Sequence, residues 1–177
     1  MKWIFVVVLT VATSAGAAPA NDVHALAKKQ IDVFRGQDYD AMDVAIVHLA
    51  AMGPSVVPDL RLALDDKLAM VRSQSAAAIA KIGPAAKAAV PDLTAKLVDV
   101  DNDVKWNSCR ALAAIGSAAA SAIPALQKLA SAKADAPRSS FKTDFDFNKY
   151  LEGSKMASSE AATSVAAIEA DQANHPH

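Results

Sequence analysis

The sequence predicts an all-α protein, a right-handed α-solenoid of about three helix pairs with a capping helix at each end. Three observations predict it. Val71–Gly83 reads VRSQSAAAIAKIG and Val104–Gly116 reads VKWNSCRALAAIG, 33 residues later in the same pattern. Pro58, Pro91 and Pro124 are spaced by 33, as are Leu60, Leu93 and Leu126. A weaker copy, AIVHLAAMG over Ala45–Gly53, ends 30 residues before Gly83. A period in this range marks stacked supersecondary units that share one continuous core.

The first twenty residues stand apart. Lys2 is a basic start, and Trp3 to Ala12 is an apolar run too short to cross a membrane. The small residues SAGAAPA follow, with cleavage expected after Ala17 or Ala20. An uncleaved N-terminal anchor is the competing reading. Residues 1–20 are therefore expected to be a signal peptide, and the protein periplasmic or secreted, with no stable membrane anchor after cleavage.

Residues 21–37 form the first cap. Asn21 or Asp22 can accept from the first free N–H groups of a helix. Val23, Leu26, Ala27, Ile31 and Phe34 recur at helical spacing, and Gly36 ends the run. The repeats are expected over 38–65, 66–99 and 100–131. Repeat one is capped by Asp38 or Asp40 and packs Ile46, Leu49, Met52, Val57, Leu60 and Leu64. In repeat two, Asp65 and Asp66 are the cap candidates for a helix over 68–82 that buries Val71, Ala78, Ile79 and Ile82. Gly83-Pro84 breaks it. A second helix over 86–97 carries Pro91 in its first turns, where the first N–H groups lack partners in any case, and Val90, Leu93 and Leu97 inside. Repeat three repeats this with Asp101, then Val104, Ala111, Leu112 and Ile115, then Gly116, then Ile123, Leu126 and Leu129. Residues 132–177 break the period. Ser131 to Gly153 reads as polar and irregular, and Lys155 to Ala170 as a closing helix with Ala157, Ala161, Val165 and Ile168 inward.

The acidic caps, the Val71-Arg72 and Val104-Lys105 pairs, the alanine-rich Ile-Gly helix ends and the Val/Ile-Pro-x-Leu starts together resemble HEAT repeats. The likeness is to the short HEAT-like repeats first noted in phycobiliprotein lyases, over about Asp38 to Ala130. It implies a stacked-helix fold. Family members include binding scaffolds and a few lyase-associated proteins, so the resemblance leaves function open.

Composition narrows the classes. Net charge is −1, without the basic stripe of a nucleic-acid binder. Aromatics are 5% of residues against 53% hydrophobic overall, so alanine supplies much of the apolar surface and helices can pack closely. The one cysteine, Cys109, occupies an alanine position of the repeat and reads as a buried thiol. His24, His48, His175 and His177 make no metal set, and no cofactor is expected. The run Asp144-Phe145-Asp146-Phe147-Asn148 lacks the glycine and distal glutamate of a calcium loop. Phe141, Phe145, Phe147 and Tyr150 are expected to tack that segment onto the stack.

The expected work is non-catalytic binding of an unidentified protein partner. Trp106 is the first candidate anchor, flanked by Lys105 and Arg110. Its register partner is the small polar Ser73, which argues for an outward position. The competing reading packs Trp106 on a neighbouring helix or on the C-terminal segment. Arg72 and Lys105 share one register, either as a basic ladder or as structural ion pairs with Asp66, Asp99 or Asp101. The second helices are expected to line the concave face, which offers Arg61, Asp92 and Lys96. The alternatives are a lyase- or chaperone-like protein that holds a substrate in its groove, and a structural subunit of a periplasmic assembly.

Overall fold

A computed structural model of the chain describes residues 20–132 and 144–175. The expected signal segment therefore lies outside the described residues up to position 19. So do Phe141 and His177, and the side chains of Asp144, Phe145, Asp146, Phe147 and Tyr150.

Helix α1 (Ala20–Val33) leads into three helix pairs: α2 (Tyr39–Met52) with α3 (Val57–Ala63), α4 (Ala69–Ile82) with α5 (Val90–Lys96), and α6 (Asn102–Ile115) with α7 (Ile123–Ser131). Helix α8 (Asp144–Asn174) follows. The described residues contain no strand, and the architecture is an all-α solenoid.

The cap residues explain where helices start. Asp38 accepts a 3.0 Å hydrogen bond from the N–H of Ala41, and Asp101 accepts from the N–H groups of Asp103 and Val104. These satisfy backbone donors that have no partner within the helix. Repeat two differs from expectation. Its N-cap position is Leu68, without a side-chain cap, and Asp66 instead accepts from the Leu68 N–H one step outside the helix.

The link inside each repeat also differs. Residues Gly83–Ala89 and Gly116–Ala122 form 3-10 turns, so the second helices begin at Val90 and Ile123. Pro91 and Pro124 thus sit at the second helical positions, inside the first turn, where a missing donor costs no intrahelical bond. The stretch PAAKAA reads as helix by propensity, but Ala86 adopts φ −91°, ψ 17°, a kink that separates the two segments.

One continuous core runs through the stack. Leu49, Leu60, Leu64, Ile79, Leu93, Leu97, Leu112, Leu126 and Ile168 are all buried. Ile46, Met52, Ile82, Ile123, Leu129 and Val165 pack against it while partly exposed. Ala27 and Ile31 of α1 and Phe34 just beyond its end are buried, but Leu26 is 47% exposed and leaves the expected stripe.

Helix α8 is the largest departure from the sequence reading. It is continuous from Asp144, so the FDFNKYLEG run is its opening turns rather than a loop. Its inner stripe is Ala157, Ala161, Ser164 and Ile168. Ser164 donates to the carbonyl of Cys109 at 3.0 Å, and Asp171 accepts from the N–H of Ser117 at 2.6 Å. That N–H holds the Asp171 carboxyl below the usual carboxylate range. Helix α8 therefore occupies the flank of α6 that a fourth repeat would cover.

Gly53, Gly83 and Gly116 end the first helices with φ of 66°, 69° and 75°. With ψ near −140° this backbone is essentially restricted to glycine. At Gly116 a Cβ would also stand 2.6 Å from Asp171 Oδ2, whereas at Gly53 it would meet nothing within 4 Å. Both alanine substitutions are expected to cost about 1–3 kcal/mol in backbone strain. Gly116→Ala should destabilise further by displacing Asp171. Thermal melts of the two variants check this, and equal losses would mean the Asp171 contact contributes nothing.

Candidate functional site

Helical spacing sorts the charged residues of this solenoid onto two surfaces. On one lie the second helices α3 and α5. Arg61 Nε bonds Asp92 Oδ2 at 2.5 Å, and Lys96 Nζ bonds Asp65 Oδ1 at 2.6 Å. His24 of α1 bonds Asp59 at 2.6 Å, and Arg35 bonds Asp66 at 2.5 Å. Each pair joins one layer of the stack to the next. The structure thus brings Arg61 and Asp92 together, and turns Lys96 toward Asp65. The charges offered here to a partner are already engaged with each other, as rungs between adjacent layers.

Arg72 is the strongest such link. Its Nε and Nη2 bind both oxygens of Asp99 at 2.8 and 2.7 Å, and Nη1 donates to the carbonyls of Asp66 and Lys67. Both side chains are about nine-tenths covered. Burial pushes the Asp99 carboxyl up, but the Arg72 guanidinium and the Asp101 N–H outweigh it and hold the group below its ordinary range. Of the two readings of this register, Arg72 follows the structural one. Lys105 at the same position is half-buried.

The other surface is formed by the first helices α2, α4 and α6. Here a recess of about 440 Å³ has Asp43 and Ile46 on one wall and Trp106, Arg110 and Ala114 on the other. Gln74, Ala77, Ala80 and Lys81 of α4 lie between. A second recess of about 330 Å³ adjoins it, sharing Gln74, Trp106 and Asn107 and reaching Tyr39, Asp101 and Asp103. The floor is low because α4 presents Ala77 where α6, one period on, presents Arg110. Trp106 stands where the two recesses meet, half-buried. The Arg110 guanidinium lies 4.7 Å over its ring, as an i, i+4 pair on one helix face.

Trp106 and Arg110 are thus brought together, while Lys105 does not line either recess. Ser73 does not hold the outward position expected of it. Ser73 is 4% exposed and accepts a 2.8 Å hydrogen bond from Asn107 Nδ2. It is small because α6 packs over it, so its polarity does not mark an outward position. Gln74, Lys81 and Asp43 were missed. The signal available was that Ala77 and Arg110 share a register and so share a face.

Among the described residues, neither recess of the first-helix face is lined by a histidine or a cysteine. Cys109 is fully buried, and burial, with the nearby Glu160 charge, pushes its thiol to about 12. A thiol that resists ionisation is a poor nucleophile. Among the described residues no group of three His, Cys, Asp or Glu could hold a metal ion. Tyr39–Ala63 and Asn102–Ser131 are long and apolar enough to span a membrane by length and composition. Each, however, contains a glycine turn and contributes its apolar face to the shared core.

Compared with known families, residues 57–141 match the model for HEAT repeats. No curated protein and no solved structure matches the chain.

Proposed function

We propose, on the premise that this is a HEAT repeat protein, that it is an exported, non-catalytic scaffold that binds another protein through its first-helix face. The observation that carries this is the paired recess centred on Trp106. A half-buried tryptophan at the centre of a shallow, mixed surface is the arrangement that concentrates binding energy in protein interfaces. The paired recess spans three helices and spreads three carboxylates and two cations along a shallow face, whereas an enzyme site would draw ionisable groups into a closed pocket. The second-helix face is the lesser candidate, because its charges are matched internally.

Pull-down of a partner with the protein, from the periplasm of its own host, tests the reading. Trp106→Ala should weaken capture by about 2 kcal/mol or more while shifting the melting point little. Lost stability with unchanged capture would retire Trp106 and leave Arg61, Asp92 and Lys96 as the next candidates. Export has its own test. The Lys2 start, the Trp3–Ala12 run and the small residues after it support a mature N-terminus at Ala18 or Asn21 by mass spectrometry. An intact Met1 on exported protein would sink that part of the proposal.

A further inference from the structure

We infer that the Trp106–Arg110 pair is a carboxylate-reading site, which takes an Asp or Glu side chain from an extended acidic-aliphatic segment of a partner protein. This deepens the scaffold reading and rests on it. This molecule engages its other described arginines with carboxylates. Of the four among the described residues, Arg35 pairs with Asp32 and Asp66, Arg61 with Asp92, and Arg72 with Asp99. Arg110 pairs with no carboxylate among the described residues. Its contacts are the Trp106 ring and one long hydrogen bond, 3.4 Å, from Nη1 to Asn107 Oδ1.

That geometry leaves the group prepared for a ligand. The indole ring packs against the guanidinium, which lies 4.7 Å from the ring centre. Apart from the long bond to Asn107, its donors make no hydrogen bond among the described residues, so the guanidinium can bind a carboxylate through two parallel hydrogen bonds. Arg110 is also exposed, so a ligand can reach it. Lys81, lining the same recess, adds a second cation that forms no ion pair among the described residues. Asp43 on the opposite wall is the one carboxylate lining this recess, which leaves it a net charge of +1. The adjoining recess carries Asp101 and Asp103 without a cation. The face is therefore polar along its length, positive at the Arg110 end and negative at the Asp101 end.

The rest of the recess specifies the neighbours of that carboxylate. Ile46, Ala77 and Ala80 offer an apolar floor, suited to an aliphatic side chain next to the acid. From Trp106 to Ala114 the helix rises about 12 Å at 1.5 Å per residue, matched by roughly four residues of extended peptide.

The test uses a library of random heptapeptides displayed on phage, with their C-termini fused so that no terminal carboxylate is present. It is selected on the purified protein. Enriched sequences should carry Asp or Glu beside an aliphatic residue. In a lead peptide, changing that acid to its amide should weaken binding about tenfold or more, as expected for loss of a charged hydrogen-bond pair. Arg110→Gln should weaken it equally, and both changes together no further. Arg110→Lys, which keeps charge but not the fork, should recover only part of the loss. No enrichment, enrichment of neutral or basic peptides, or unchanged affinity of Arg110→Gln would each overturn the inference. Capture of a partner that is lost in Trp106→Ala but kept in Arg110→Gln would overturn it while leaving the scaffold reading intact.

Discussion

Arg72→Ala is expected to lower the free energy of unfolding by about 3–5 kcal/mol, the usual cost of removing one partner from a buried ion pair. Asp99 would be left with its negative charge in a site it shares with little water, and the carbonyls of Asp66 and Lys67 would lose their donor. For a chain of this size the melting point should fall by roughly 6–20 °C. Replacing both partners together, by Arg72→Met with Asp99→Leu, should be much milder, because no charge is stranded. The pH dependence has a definite sign. Asp99 titrates lower folded than its ordinary value of 3.8. Its pairing therefore stabilises the protein above that value and is lost as pH falls through the folded pKa. Asp66, held low mainly by Arg35, and Asp171, held low mainly by the Ser117 N–H, act in the same direction. Melts of the Arg72→Ala variant should accordingly differ most from the parent near neutrality and converge with it in acid. A variant that melts within a degree or two of the parent at pH 7 would show that the pair contributes nothing.

Leu93→Ala is the second large effect. Leu93 is fully buried in the central layer, with helix pairs on both sides. Truncation should cost about 2–5 kcal/mol through lost transfer energy and an unfilled cavity. A typical domain has about 5–15 kcal/mol in total, so this single change removes much of the margin. Leu64→Ala, one layer nearer the N-terminal end, should cost no more. Denaturant unfolding of the two variants checks the order. Parent-like behaviour of Leu93→Ala would mean that the repeat register is wrong.

The register itself was legible because stacking repeats the same burial problem at the same spacing. Leu60, Leu93 and Leu126 must each fill the layer beneath their own helix pair, so the sequence repeats when the structure does. Asp38 and Asp101 were legible for a local reason, since a cap bonds to N–H groups two or three residues away. What failed was non-local. Ser73 is covered by a helix whose contacting residue lies 34 positions on, and no rule of spacing says which side of α4 that helix takes. The rungs between Arg61 and Asp92, and between Lys96 and Asp65, likewise span 31 residues. The shape of the candidate site was hidden for the same reason. Its depth depends on alanines in α4 lying between larger side chains of α2 and α6. The start of α8 was missed because Gly153 and the alternating acidic and aromatic residues before it weaken the helical pattern. Gly153 has a use there: a Cβ would stand 3.0 Å from Asn102, so the two helices approach where a larger residue would hold them apart.

The way α8 closes the stack bears on how such a chain changes over generations. Beyond Gly83 the next neighbour is the Ala114 carbonyl of the following repeat, and beyond Gly116 it is Asp171 of α8. The terminal helix thus imitates an incoming repeat well enough to end the series. Length is set by that lid and not by the units beneath it. Duplicating residues 67–99 in the gene would insert a layer whose upper and lower faces already fit their neighbours. The protein could then lengthen one layer at a time, each copy widening the face available to a partner, without any new surface having to be invented.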